Sequence, residues 1–130
     1  MKVIIAGAAG RMGRELLKYA HQDSDIDIIG ASEVAGSDWI GKDIGEVIGE
    51  ANMNIKIASD ILELIKSADV IIDFTNPETT LANAVLAAQA RISHIIGTTG
   101  FQNEEIESLK KAGNHAVLVQ SGNMSLGINI

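Results

Sequence analysis

The chain has 130 residues, of which 46% are hydrophobic and 3% aromatic, and its formal net charge is −7. This length and hydrophobic content predict one domain over residues 1–130 with a core of Ile, Val, Leu and Ala. The acidic charge argues against nucleic acid or an anionic membrane as a partner, and the absence of cysteine, which excludes disulfides, fits a cytoplasmic protein.

Short apolar runs alternate with helical patterns along the chain. The runs predicted as strands are 2–6, 26–31, 55–58, 70–74, 94–97 and 116–120. The segments predicted as helices are 11–22, 61–67, 77–90 and 103–112. The stretch 33–54, rich in glycine and charge, is predicted to be an irregular loop with a functional role. The alternation predicts a doubly wound, Rossmann-like α/β fold with a mostly parallel sheet of about six strands.

Three glycines follow the first predicted strand and open the first predicted helix, at Gly7, Gly10 and Gly13. In an open α/β sheet ligands bind at this place, because glycines let a pyrophosphate approach the main chain and the N–H groups of the helix. Glu33, at the end of the second predicted strand, can accept hydrogen bonds from the hydroxyls of an adenosine ribose. The combination predicts a dinucleotide site, with a purely structural turn as the alternative.

The other polar and charged residues near this edge have simpler interpretations. Asp73 ends a predicted strand and is interpreted as a cap of the following turn. His21, His94 and His115 have no partner spacing typical of a metal site or a general base, and no metal is expected. Arg11 is the exception, because a cation at the start of a helix gains nothing from the helix dipole and is expected to serve the coenzyme.

Four segments, GAAGRMGREL, IDFTNPETTL, IGTTGF and GNMSLGINI, resemble signature segments of one enzyme family in the same order. The family is 4-hydroxy-tetrahydrodipicolinate reductase, also called dihydrodipicolinate reductase, of bacterial lysine and diaminopimelate biosynthesis. The resemblance implies hydride transfer from NADH or NADPH to a cyclic unsaturated dicarboxylate, which gives tetrahydrodipicolinate. It also implies that the full-length enzyme is a homotetramer.

The resemblance also implies roles for individual residues. The glycine loop would hold the pyrophosphate, Glu33 the adenosine ribose, and the segments near 97–99 and 121–124 the nicotinamide, with Thr99 also contacting substrate. The residues expected to bind the coenzyme are Gly7, Ala8, Ala9, Gly10, Arg11, Met12, Gly13, Glu33, Phe74, Gly97, Thr98, Thr99, Ser121, Gly122, Asn123 and Met124.

The sequence departs from the family pattern in two ways. Family members continue into a substrate domain with a His-His and Lys segment and a Ser-Gly-Thr loop, so we expect a fragment that holds no catalytic residue and binds coenzyme without turnover. Val34 follows Glu33 where members that use NADPH tend to have Arg, so we expect NADH to bind at least as well as NADPH.

Two alternatives remain open at this point. The first is an NAD(H)-sensing binding module without catalysis, which would need the adenosine half of the site but no nicotinamide pocket that faces a substrate. The second is a sugar or amino-acid dehydrogenase with the same kind of domain, which would lack the GTTGF and closing segments.

Overall fold

A computed structural model describes residues 1–98, 102–112 and 118–120. Its elements are β1 (Lys2–Ala6), α1 (Arg11–Gln22), β2 (Asp27–Ser32), α2 (Ile44–Ile48), a 3₁₀ helix (Ile65–Ser67), β3 (Val70–Asp73), α3 (Pro77–Ala90), β4 (Ser93–Ile96), α4 (Asn103–Ala112) and β5 (Leu118–Gln120). Within the described ranges, no helix combines the length and the apolar character that crossing a bilayer requires.

The strands form one parallel sheet in the order β2-β1-β3-β4-β5, which confirms the predicted fold class. Because all the strands run the same way, their carboxyl ends meet at one edge. The chain leaves β1 toward β2 on one side and returns to β3 on the other, so the order reverses between β1 and β3. In doubly wound folds, ligands bind in the crevice above such a reversal.

The core lies on both faces of the sheet because successive side chains of β1 point to opposite faces. Val3 and Ile5 pack with Leu17 of α1 on one face. Ile4 packs with Ile71 and with Ala87 of α3 on the other face. This packing places the beginning of α1 directly above the carboxyl end of β1.

The prediction of a strand over 55–58 is wrong, and the described residues form five strands rather than six. Ala58 makes a single parallel bridge to Ser32, and Lys56 makes a single antiparallel bridge to Asp43. The segment divides its main-chain pairing between two neighbours, so neither pairing extends into a ladder. Ala58 nevertheless lies outside β2, where a six-stranded doubly wound sheet has its third strand.

Two helix predictions also need correction. The segment predicted as a helix over 61–67 contains only the 3₁₀ turn Ile65–Ser67, preceded by hydrogen-bonded turns. A segment this short needs a cap to form an α-helix, and the 3₁₀ turn has no side-chain cap, unlike α2. The spacing of Ile61 and Ile65 reflects two buried contacts with the sheet. Conversely, α2 lies inside the stretch 33–54 that was predicted to be irregular.

Asp43 explains why α2 forms within that stretch. Its carboxylate accepts hydrogen bonds from the N–H groups of Gly45 and Met53, each at 2.8 Å, and of Ile55, also at 2.8 Å. Burial raises the pKa of the Asp43 carboxyl, but the hydrogen bonds from Met53, Gly45 and Ile55 outweigh burial and hold the pKa below its usual value. One side chain thus caps the helix and closes the loop that follows it.

We expect Asp43→Ala to lower the free energy of unfolding by about 2–4 kcal/mol, because it removes a helix cap and leaves one buried and two partly buried N–H groups without an acceptor. Urea unfolding at neutral pH measures the loss. The folded-state pKa is lowered, so the contribution is complete above the usual carboxyl pKa of 3.8 and disappears as the pH falls through the folded value. Asp38→Ala, at an exposed position of the same loop, is the control, and equal losses in the two variants would contradict the expectation.

Candidate coenzyme site

The turn after β1 depends on Gly7, whose φ of +83° is unfavourable for other residues. A Cβ atom at this position would also lie 2.6 Å from the carbonyl oxygen of Phe74. The N–H groups of Gly7 and Ala8 both donate to the carbonyl oxygen of Ser32, at 3.0 and 3.1 Å. The turn is therefore held between the carboxyl ends of β2 and β3.

The other two glycines of the loop differ in what the fold requires of them. A Cβ atom on Gly13 would overlap the carbonyl oxygen of Gly7, so glycine is needed there for α1 to pack on the turn. Gly10 has an ordinary φ of −75°, and its Cβ would meet only the Gly7 oxygen, at a normal contact distance of 3.5 Å. The fold explains Gly7 and Gly13 but gives no reason for glycine at position 10.

The beginning of α1 lacks the features that usually stabilise a helix N-terminus. Its N-cap position is Gly10, no side chain accepts from its first N–H groups, and its first turn contains no acidic residue. By contrast, α3 begins at Asn76, whose side chain accepts a hydrogen bond of 2.8 Å from the N–H of Thr79. The donors and the positive dipole end of α1 are therefore suited to an external anion.

Glu33 lies beside the glycine loop, as the sequence predicts. Its Oε2 accepts a hydrogen bond of 2.7 Å from the N–H of Ala9, and its Oε1 accepts a longer one of 3.3 Å from the N–H of Val34. The first bond ties the end of β2 to the loop and fixes the position of the carboxylate. The remaining acceptor positions of the two oxygens suit a pair of ribose hydroxyls.

A cavity of about 330 Å³ opens above these groups. It is lined by the glycine loop, by the segment that follows β2 and by the turn after β3, through Gly7, Ala9, Gly10, Glu33, Val34, Ser37, Trp39, Phe74, Thr75 and Asn76. Ser37, Trp39, Thr75 and Asn76 are not among the residues that the sequence predicts to bind the coenzyme. The single tryptophan of the chain, in a glycine-rich loop after a predicted ribose-binding acid, is the signal that could have identified Trp39.

Two cations flank Trp39 at the rim of the cavity. The guanidinium carbon of Arg14 lies 5.2 Å from the centre of the indole, and the Nζ atom of Lys42 lies 5.1 Å from it. Arg14 also donates from Nε to the carbonyl oxygen of Ala9, at 2.8 Å. These contacts connect the loop after β2 to the glycine loop and place positive charge at the rim of the cavity.

Phe74 and Gly97 join the turn after β3 to the loop after β4. The Phe74 ring occupies the space where a Cβ atom on residue 97 would lie. The N–H of Gly97 donates to the carbonyl oxygen of Asp73, at 2.8 Å. Glycine at position 97 is therefore required by the close approach of the ring.

Beneath this junction lies a buried polar cluster, which we call the Asp73 cluster. Its members are Asp73, Thr75, Thr80, Asn83, His94 and Thr98. Asp73 Oδ2 receives hydrogen bonds from Asn83 Nδ2 at 3.0 Å and from His94 Nε2 at 2.9 Å. Its Oδ1 receives the hydroxyl of Thr75 at 2.6 Å and that of Thr80 at 3.1 Å.

The Asp73 cluster corrects two interpretations made from the sequence. Asp73 does accept a hydrogen bond of 3.1 Å from the N–H of Thr75 in the following turn. It also accepts hydrogen bonds from other side chains of the cluster. His94, for which the sequence indicates no carboxylate partner, is hydrogen-bonded to Asp73, and the side chains of His94 and Asp73 are completely buried. Because a carboxylate can only accept, Nε2 of His94 carries the hydrogen, while Nδ1 has no hydrogen-bond partner among the described residues.

The environment of Asp73 stabilises its ionised form. Burial raises the pKa of the carboxyl, but the hydrogen bond from His94, the electrostatic attraction of that ring, and the hydrogen bonds from Thr75 and Asn83 outweigh burial and hold the pKa below its usual value. A buried carboxylate with several donors is stable only while those donors stay in place.

The structure brings part of the predicted coenzyme set together. Gly7, Ala9, Gly10, Glu33 and Phe74 line the cavity. The remaining described members lie around it: Ala8 and Gly13 are buried below the loop, Arg11 and Met12 are exposed at the start of α1, Gly97 packs on Phe74, and Thr98 belongs to the Asp73 cluster. Thr99, Ser121, Gly122, Asn123 and Met124 lie outside the described residues, as does His115. No group of three metal-ligating side chains occurs in the described part of the chain.

The fold of this chain is similar to those of solved structures. The chain matches a dipicolinate-bound dihydrodipicolinate reductase from Paenisporosarcina sp. TG-14 with a TM-score of 0.66. The match covers 91% of this chain and 46% of that one, at 22% sequence identity, so it supports the fold.

Comparison of sequences identifies the family. Proteins named 4-hydroxy-tetrahydrodipicolinate reductase from Ruegeria pomeroyi and Parvibaculum lavamentivorans are 46% and 47% identical to the chain, over 128 and 131 residues. The matches cover 98% and 100% of this chain but 48% of each relative, so the chain spans about half the length of the curated relatives it matches. Residues 1–124 match the family model described as dihydrodipicolinate reductase, N-terminus, and the chain belongs to that family.

Proposed function

We propose that this chain supplies the coenzyme site for the NAD(P)H-dependent reduction of 4-hydroxy-tetrahydrodipicolinate to tetrahydrodipicolinate. The observation that carries the proposal is the uncapped N-terminus of α1 at Gly10, which opens into the cavity beside Glu33. Family membership supports the reaction class, since the relatives over this region are named as the reductase.

The residues of the cavity fit the parts of a dinucleotide. The first N–H groups of α1 would hold the pyrophosphate, and the missing Cβ of Gly10 would let it approach the main chain. The Glu33 carboxylate, held by Ala9, would accept from the ribose hydroxyls. Bound in this way, the reduced nicotinamide would supply the hydride, while the chain's own groups bind and orient the coenzyme.

The strand order gives the direction in which the coenzyme would extend. The ribose acid follows β2, the pyrophosphate site follows β1, and the next strands across the sheet are β3 and β4. The nicotinamide half would therefore extend over the turn after β3 and the loop after β4, toward Gly97 and Thr98. This supports the predicted nicotinamide roles of Gly97 and Thr98. The roles of Thr99 at the nicotinamide and the substrate, and of residues 121–124 at the nicotinamide, stay predictions because these residues lie outside the described part of the chain.

The remaining parts of the proposal concern the whole protein. A dicarboxylate substrate, a place in lysine and diaminopimelate biosynthesis, a cytoplasmic location and a homotetramer stay predictions. The names of the relatives favour the reductase over an NAD(H)-sensing module and over a sugar or amino-acid dehydrogenase.

We expect calorimetric titration to show one site for NADH on this chain and about ten- to a hundredfold weaker binding of NADPH. The Glu33 carboxylate would repel a 2′-phosphate, and Val34, which is exposed at the rim, offers no compensating cation. Val34→Arg should tighten NADPH binding selectively because a guanidinium can pair with phosphate.

Ala35→Arg is the matched control, since it adds the same charge at an exposed position next to Val34. The control should leave the preference for NADH unchanged. Failure of both coenzymes to bind would overturn the proposed function. A wild type that prefers NADPH would instead show that Arg11, Arg14 or Lys42 already compensates the phosphate.

A further inference from the structure

We propose that the Asp73 cluster positions the loop after β4 for the nicotinamide half of the coenzyme, with Thr80 of α3 as the positioning residue. The inference rests on the proposed coenzyme function. It concerns Thr80, Asn83 and His94, which do not belong to the predicted coenzyme set. All three side chains are buried behind the loop.

The contacts of Thr98 show how the loop is held. Its hydroxyl oxygen lies 2.8 Å from that of Thr80 and 3.4 Å from both Oδ1 and the carbonyl oxygen of Asp73. The preceding residue, Gly97, donates its N–H to the same carbonyl oxygen at 2.8 Å. Two consecutive residues of the loop are thus tied to the end of β3.

The cluster also connects this loop to the wall of the cavity. Thr75, which lines the cavity, shares Asp73 Oδ1 with Thr80, and the two threonine hydroxyls lie 3.1 Å apart. Phe74 lines the cavity and packs on Gly97. The wall after β3 and the loop after β4 are therefore one connected unit, anchored on a single carboxylate.

A polar cluster suits this task better than an apolar one. Apolar packing is non-directional, whereas hydrogen bonds specify distance and angle, so a buried hydrogen-bond network favours one arrangement of the groups that it joins. The Thr80 hydroxyl is the link between Asp73 and Thr98, and it does not line the cavity. Its removal should loosen Thr98 while the adenosine half of the site stays intact.

The experiment compares NADH with ADP-ribose, which lacks the nicotinamide ring, in calorimetric titrations of the 130-residue chain. We expect Thr80→Val to weaken NADH binding about tenfold and to change ADP-ribose binding by less than about twofold. Thr80→Ser, which restores the hydroxyl, should restore NADH affinity. Thr79→Val, at the neighbouring half-buried position of α3, is the control and should change neither ligand.

The titrations distinguish failure of the positioning role from failure of the proposed coenzyme function. An equal loss for both ligands, or no loss for either, would overturn the positioning role, as would a wild type that binds NADH no more tightly than ADP-ribose. A wild type that binds neither ligand would overturn the proposed function instead. If circular dichroism shows that Thr80→Val is unfolded, Thr80→Ala, which removes the same hydroxyl, must give the same selective loss of NADH affinity.

Discussion

Replacement of Gly10 by valine is expected to weaken NADH binding at least about a hundredfold while the domain stays folded. The valine side chain would occupy the space above the first N–H groups of α1 and keep the pyrophosphate from the main chain, which removes several charge-assisted hydrogen bonds. The backbone tolerates the change, because φ is −75° and the added Cβ would meet only one atom, at 3.5 Å.

Gly13→Ala provides the contrasting control. Its Cβ would overlap the Gly7 carbonyl oxygen, so this variant should lose stability as well as binding. Calorimetric titration measures binding in both variants, and urea unfolding measures their stability, with a loss of only about 1 kcal/mol expected for Gly10→Val at a helix N-cap. Normal NADH binding by Gly10→Val would mean that the glycine loop is only a structural turn.

Replacement of Asp73 by leucine is expected to lower the free energy of unfolding by about 3–5 kcal/mol at neutral pH. The substitution leaves the buried donors of His94, Asn83 and Thr80 without their acceptor. A domain of ordinary stability, about 5–15 kcal/mol, would lose a large fraction of it. Urea unfolding followed by circular dichroism measures the change.

The pH dependence follows from the direction of the Asp73 shift. The folded-state pKa lies below the usual value of 3.8, so the stabilising contribution is complete above that pH and is lost as the pH falls through the folded value. The difference between wild type and Asp73→Leu should therefore shrink in strong acid.

Asp69→Leu is the control for Asp73→Leu. Asp69 precedes β3 and accepts one exposed hydrogen bond of 2.8 Å from the N–H of Lys2, so its replacement should cost less than about 1 kcal/mol. Losses of the same size in the two variants would show that the Asp73 cluster contributes no special stability.

The sequence by itself determined the fold class and the family, and it predicted the edge of the sheet at which the candidate site lies. Periodicity is a local property, and helix signals such as Asn76 and Pro77 act within one turn, so α1, α3 and α4 have the predicted bounds. The proximity of the glycine loop and Glu33 was also predictable from the sequence. Each follows a strand, and parallel strands end at the same edge of the sheet.

Only the tertiary structure decided which residues pair across the sheet and which glycine is free of packing. His94 and Asp73 are 21 residues apart, and the register that pairs Ile71 with His94 brings them to the same face of neighbouring strands. The segment 55–58 has strand-like composition but pairs with two neighbours, which no local pattern reveals. Gly7, Gly10 and Gly13 look alike in the sequence. They differ because backbone carbonyl groups leave no room for a Cβ atom at Gly7 and Gly13, whereas a Cβ atom at Gly10 would make only an ordinary contact.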